Sequence, residues 1–276
     1  MARMESNNPA TPPPLSPEER FACLLPQRLE LSAILAHLPQ ADLPQMTMLD
    51  IGMPSPVMSK ALRDRGGAWA TIARSPAHAA EAAQYLGGPV SCLGADGTIP
   101  FETHVFDGLV VALDMLAAMP DGGSFIKECN RVLKPSGLLI LSAQAKRPGS
   151  LPDAVRRRRW SDPSDPFSAA FTARDLYEFL KTGFDVLDVD GFSRFFVEFA
   201  RLRELRLTQD GVPRDEVALR MRRRYAIAGA LDRLLFLDRG HVILIAARRR
   251  QWSSRITPTL RDGRRIGEAV LFQPPV

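Results

Sequence analysis

At 276 residues the chain is long enough for one α/β domain with additions, or for two small domains. Its composition, 45% hydrophobic and 24% charged, excludes collagen-like, coiled-coil and wholly disordered chains. The net charge of +5 conceals an asymmetry: residues 1–145 hold 10 Lys/Arg against 14 Asp/Glu, whereas residues 146–276 hold 26 against 17, so a basic surface belongs to the second half.

Residues 1–15 are polar and carry Pro12, Pro13 and Pro14, which resist both helix and sheet, so they read as a disordered leader without the apolar run of a signal peptide. Ser16-Pro17-Glu18-Glu19 is a helix start, with a capping residue, Pro at the first helical position and a carboxylate three residues on. The apolar helical stretch that follows, Leu24 to Leu38, is expected to break near Pro26. From Met46 short apolar runs alternate with helical segments. MTMLDIG, AWATIA, PVSCLG, FDGLVVALD and LLILSAQA (residues 138–145) are predicted strands. Val57–Arg65, Pro76–Leu86 and Gly122–Leu133 are the helices between them. Strands separated by helices of about ten residues imply βαβ units and a parallel, doubly wound sheet.

The second half is less regular. Residues 146–170 read as a loop carrying Arg156 to Arg159 and then Trp160. Thr172 caps a helix over Ala173–Lys181, and FDVLDVDGF is a sixth strand. Two helices, Phe195–Leu207 and Asp215–Leu237, form an insert over about 195–237 before a last strand, HVILIAAR. The expected organisation is a leader over 1–15, a domain over 16–250 and a basic tail over 251–276. Cys23, Cys92 and Cys129 have no disulfide or zinc-ligand spacing, so reduced thiols and a cytoplasmic setting are expected. No metal ligands and no membrane-spanning segment are predicted, and no nucleic-acid motif accompanies the arginines.

The stretch Phe106–Gln144, FDGLVVALDMLAAMPDGGSFIKECNRVLKPSGLLILSAQ, resembles the class I S-adenosylmethionine-dependent methyltransferases, closest to the type 11 group. The fourth strand, the RVLKPSG turn and the apolar fifth strand carry the likeness. LDIG, Ser75-Pro76 and Ile99-Pro100-Phe101 precede them in order, and the segments over 171–192 and 240–248 follow. The resemblance implies a Rossmann-like class I methyltransferase sandwich with a mostly parallel seven-stranded sheet. It also implies S-adenosylmethionine as cofactor, held at the carboxyl ends of the strands.

The cofactor positions implied are Asp50, Gly52 and Met53 in the first loop, Ala73 and Arg74 after the second strand, Asp96 and Gly97 on the adenine side, and Ala112 at the end of the fourth strand. Several depart from the family's pattern. Pro54 and Pro56 replace loop glycines and remove N–H donors. Ala73 replaces the acid that accepts the ribose hydroxyls, a loss of about 1.5–3 kcal/mol per charged hydrogen bond. Ala117-Ala118 stand where the family often has Glu-His.

The resemblance supplies no catalytic residue. Asp114 is a candidate polar pocket group, Phe195, Phe196 and Tyr225 are pocket aromatics or core packing, and His104 and His241 read as surface and structural residues. Two functions stay open. One is methyl transfer to an unidentified small-molecule acceptor. The other is a catalytically inactive binding or scaffold protein with a decayed cofactor site, meeting a protein or anionic partner through the Arg-rich half. A nicotinamide-dependent oxidoreductase lacks its GxGxxG loop here.

Overall fold

The computed structural model describes residues 14–160, 169–235 and 240–251. Most of the expected leader and tail therefore lies outside the described residues. The elements run α1 (Pro17–Cys23), α2 (Leu25–His37), β1 (Thr47–Ile51), α3 (Pro56–Arg63), β2 (Ala68–Ala73), α4 (Pro76–Leu86), β3 (Ser91–Cys92), β4 (Phe106–Val111), α5 (Met115–Ala118), α6 (Gly122–Val132), β5 (Leu133–Gln144), α7 (Leu151–Arg159), α8 (Ala173–Leu180), β6 (Phe184–Phe192), α9 (Phe195–Gln209), α10 (Arg214–Asp232) and β7 (Val242–Arg249).

One seven-stranded sheet in the order β3-β2-β1-β4-β5-β7-β6 unites them. The pairs from β3 to β5 are parallel, and β7 runs antiparallel between β5 and β6. The apolar runs of β1, β4, β5 and β7 are buried on both faces, as parallel strands covered by helices require; Leu49, Ile51, Leu109, Val110, Ile140 and Leu244 have no exposed surface. Helix α3 contacts both α2 and α4, and α6 packs with α5 and α8. This is the doubly wound sandwich expected, with the α9–α10 insert between the last two strands.

Local chemistry sets the helix starts. Ser16 and Thr172 form capping boxes with Glu19 and Asp175, and Ser55 and Ser75 cap α3 and α4 ahead of prolines at the first helical position. The expected differences are few. Residues 151–159 form helix α7 rather than loop: Ser150 caps it, Pro152 sits in the first turn where its missing N–H costs nothing, and Arg156 turns inward. The break in the N-terminal helix falls at Leu24, ahead of Pro26, because that proline occupies the first turn of α2. The third strand shrinks to Ser91–Cys92, the short helix α5 follows β4, and the last insert helix ends at Asp232. Strand β5 starts early, at Leu133, because Lys134–Gly137 bulge between the pairs Phe106–Leu133 and Gly108–Leu138, with Ser136 at φ +64°.

Candidate functional site

The carboxyl ends of β1, β2, β4 and β5 open onto a crevice roofed by α1, α2, α9 and α10. Asp50, on β1, is fully buried. Its carboxylate accepts from Ser59 Oγ and Thr71 Oγ1, both at 2.8 Å, and lies 3.5 Å from the Arg63 guanidinium. Burial pushes its pKa up to about 6 against the opposing pull of Thr71, Ser59 and Arg63. Both oxygens are thus committed to α3 and β2, and Asp50 ties those elements together.

Gly52 follows at φ +73°, its N–H donating to the Ile72 carbonyl at 2.8 Å. A Cβ there would lie 2.1 Å from Met115 Sδ, so the glycine's open side is filled by the chain's own side chain. Gly52→Ala is expected to destabilise by about 1–2 kcal/mol from the left-handed backbone and about 1–3 kcal/mol from overpacking. Urea unfolding should show the second part recovered when Met115→Ala is added. Met53 is buried, Ser55 Oγ accepts from the Val57 N–H, and Pro56 opens α3. The first free donor of α3 is therefore met by its own cap.

At the end of β2, Ala73 is buried and Arg74 is exposed. Beside them His78 Nδ1 lies 2.6 Å from Ser75 Oγ, and Nε2 lies 2.8 Å from an Arg214 guanidinium nitrogen. A guanidinium only donates, so Nε2 accepts and Nδ1–H donates to the Ser75 hydroxyl. Burial, Arg214 and Arg74 all lower the His78 pKa, which keeps the ring neutral and leaves Ser75 without a base. The space bounded by Met53, Pro54, Pro56, Ala73 and His78 is about 10 Å³, room for about one water. Asp96 accepts from the Thr98 N–H at 3.0 Å and Thr98 Oγ1 at 2.7 Å, an Asx turn that consumes its carboxylate. Gly97, at φ +86°, faces Met119 and Phe125. Ala112 is buried, its N–H donating to the Ile51 carbonyl at 3.0 Å. The structure thus gathers Gly52, Met53, Ala73 and Ala112 around the first loop and leaves Arg74 at the border of the crevice, whereas Asp50 and Asp96 are turned to other partners.

The most highly charged part of the crevice was not among the sequence candidates apart from Asp114. Glu30 of α2 is buried and accepts from the Leu113 N–H at 2.7 Å. Burial pushes its carboxyl up to about 7, with Asp114 adding to the rise and the Leu113 N–H and Arg201 opposing it. Asp114, at φ +69°, receives Arg201 of α9 at 2.6 Å. Arg201 is itself buried, donates also to Gln144 Oε1, and stands 3.7 Å from Glu198. Glu198 in turn pairs with Arg156 of α7 and accepts from Gln144 Nε2 at 3.1 Å. These residues join α2, β5, α7 and α9 across the ends of the strands. What remains open is a cavity of about 280 Å³ bordered by Pro54, Arg74, His78, Asp114, Glu30 and Arg201, just below the ordinary size of a small-molecule pocket. The sequence signal for Glu30 was a lone acid between Leu29 and Leu31 in an apolar helix; Arg201 had no comparable mark.

The expected pocket aromatics lie elsewhere. Tyr225 is buried and donates to Glu204, and Phe195 and Phe196 pack edge to face with ring centroids 5.2 Å apart. His104 is exposed, and His241 is buried with its carbonyl accepting from the Ala145 N–H. Among the described residues no group of three His, Cys, Asp or Glu is placed to hold a metal ion, and no helix is long and apolar enough to cross a membrane.

A doubly wound seven-stranded sheet whose last strand in sequence is reversed, with a glycine-turned loop after β1, defines the class I methyltransferase fold. Residues 49–141 match the family model described as a methyltransferase domain. An alignment of 129 residues at 25% identity relates it to a ubiquinone biosynthesis O-methyltransferase of Neisseria meningitidis, covering 44% of this chain and 52% of the relative. The chain thus spans about half the length of the curated relatives it matches. In structure it is similar to a chain of the complex formed by the Haloferax volcanii Trm112 methyltransferase activator and a methyltransferase (TM-score 0.55, 16% identity, 86% of this chain and 92% of that one). It is also similar to a Bacillus halodurans protein described as a methyltransferase (TM-score 0.55, 17% identity, 80% and 99%). These likenesses carry the fold.

The family implies S-adenosylmethionine, and the residues of this chain do not fit that cofactor in the family's manner. Ala73 offers no side-chain acceptor to a ribose, Pro54 and Pro56 offer no donors, and Met115 closes the face of Gly52.

Proposed function

We propose that this chain uses the methyltransferase fold as a binding framework and does not transfer methyl groups from S-adenosylmethionine in the family's way. The observation that carries the proposal is the end of β2, where buried Ala73 supplies no carboxylate at the position the resemblance gives to the ribose acceptor. The ion pairs of Glu198, Arg201, Asp114 and Arg156 support it, because they occupy the crevice with internal contacts. On this reading residues 16–250 act as one methyltransferase-like unit. The exposed Arg222, Arg223 and Arg224 of α10 and Arg157 to Arg159 of α7 then form its partner-facing basic surface. The free thiols of Cys23, Cys92 and Cys129 support a cytoplasmic setting.

Methyl transfer to a small molecule is the second reading. The family match and the retained Asp50 and positive-φ Gly52 favour it. Calorimetric titration of the full chain with S-adenosylmethionine and S-adenosylhomocysteine separates the two. The binding framework is expected to show no heat of binding up to millimolar ligand. Micromolar affinity for either compound would sink it. The triple variant Pro54→Gly/Pro56→Gly/Ala73→Asp is expected to gain affinity relative to the parent.

A further inference from the structure

We propose that a second cavity, separate from the crevice, binds a phosphate monoester carrying an apolar chain. It encloses about 700 Å³ between the α1–α2 junction, the end of β6, the start of α9 and the second half of α10. None of its lining residues borders the crevice cavity.

Its chemistry is two-sided. Arg28, Arg194, Arg222 and Arg233 line it, four arginines brought from three parts of the chain, of which Arg28 and Arg194 each also donate to a backbone carbonyl, Ala22 at 3.4 Å and Asp232 at 3.0 Å. The carboxylate that also lines it, Asp232, is engaged with protein: it accepts from the Phe196 N–H at 2.8 Å and the Val197 N–H at 3.0 Å, capping α9. The balance of the cavity is therefore strongly positive. Ser193 adds a further group. It is 3% exposed, sits at φ +58°, and its buried hydroxyl has no hydrogen-bond partner. A buried polar group without a partner costs about 1–3 kcal/mol, which a ligand acceptor would recover. The opposite wall is apolar, made by Leu25, Leu29, Val197, Ala226 and Ala230.

A guanidinium fork matches phosphate oxygens two at a time, and several forks around one site suit a dianion better than a single carboxylate. The apolar wall then takes a hydrocarbon chain. On the neighbouring face of α10, Ile227 and Leu231 stand 63% and 38% exposed one turn apart, and Leu234, just past the helix end, is 73% exposed, a continuation along which a longer chain would run. The same chemistry belongs to a free phosphate ester and to a phosphatidate headgroup in a bilayer. Nothing in this assignment depends on how the crevice treats S-adenosylmethionine.

The test uses the full chain with octyl phosphate, with inorganic phosphate, and with phosphatidylcholine vesicles with and without phosphatidic acid. Octyl phosphate is expected to bind saturably and at least about tenfold more tightly than inorganic phosphate, the contribution of roughly two buried methylenes. Arg28→Gln/Arg222→Gln should weaken it by about tenfold or more. Both side chains are exposed in the free protein, so folding should be unchanged by circular dichroism. Ala226→Trp keeps every charge and fills the apolar wall, so it should abolish the advantage of octyl over inorganic phosphate. Co-sedimentation with phosphatidic acid vesicles that both variants lose would assign the ligand to a headgroup; octyl phosphate binding without it would assign a soluble ester. Failure of both probes to bind, or binding that neither variant alters, overturns the proposal.

Discussion

Arg201→Met is expected to lower the unfolding free energy at pH 7 by about 3–5 kcal/mol, the usual consequence of breaking a buried ion pair by removing one partner. Arg201 is the cation on which the crevice network converges. It donates to Asp114 and Gln144 and lies beside Glu198; burial lowers its pKa, but Asp114 and Glu198, with Glu204 adding, hold it above the ordinary arginine value. Methionine keeps the length of the stem and removes the charge, so three acidic groups would face one another with only Arg156 left among them. The loss should shrink at pH 5, where protonation relieves part of that repulsion. Arg206→Met is the control. Arg206 sits four residues from Asp210 in an exposed pair at 3.6 Å, and its removal should change stability by less than about 1 kcal/mol. Urea unfolding of the two variants at both pH values checks the expectation; a cost for Arg201→Met as small as for Arg206→Met would show that water, and not the protein, solvates the network.

Much of the framework was legible because it rests on short-range rules. The caps at Ser16 and Thr172 are fixed by one hydroxyl and a nearby N–H, and the apolar runs of β1, β4, β5 and β7 reflect burial on both faces. Helix α7 was hidden because its helical face is written in arginines: Arg156 is buried against Glu198, a residue 42 positions away, and no local pattern reports that pairing. The candidate site divides along the same line. Pro54, Pro56 and Ala73 announce their chemistry by identity alone, since a missing N–H or carboxylate is missing in any fold. Met115 over Gly52 and the meeting of Glu30 with Leu113 and Asp114 are long-range facts, created only when α2 and the β4 loop pack together. Asp96 shows the reverse case, in which a residue suited by position to a ligand is spent two residues away on Thr98.

Glu30→Gln is expected to flatten the dependence of stability on pH between about 4.5 and 7. Burial, the dominant cause, raises the Glu30 carboxyl from 4.5 to about 7 in the folded protein, against the lowering effect of the Leu113 N–H. Between those two values the folded chain holds a proton that the unfolded chain has released. The stability tied to that proton is therefore complete below about 4.5 and is lost as the pH rises through 7, a change on the order of 3 kcal/mol. Asp50, raised from 3.8 to about 6 chiefly by burial and despite Thr71 and Ser59, acts in the same direction over a lower window. Glutamine keeps an oxygen to accept from the Leu113 N–H but carries no ionisable proton. The variant should accordingly match the parent at pH 4.5 and exceed it by about 2–3 kcal/mol at pH 8, read from urea midpoints. Parallel curves for parent and variant would mean that Glu30 ionises at its ordinary value, with water reaching it through the crevice. The outcome bears on binding too: a carboxyl that is half-protonated near neutrality beside Asp114 and Arg201 changes the charge of the crevice by one unit over the pH range in which any ligand would meet it.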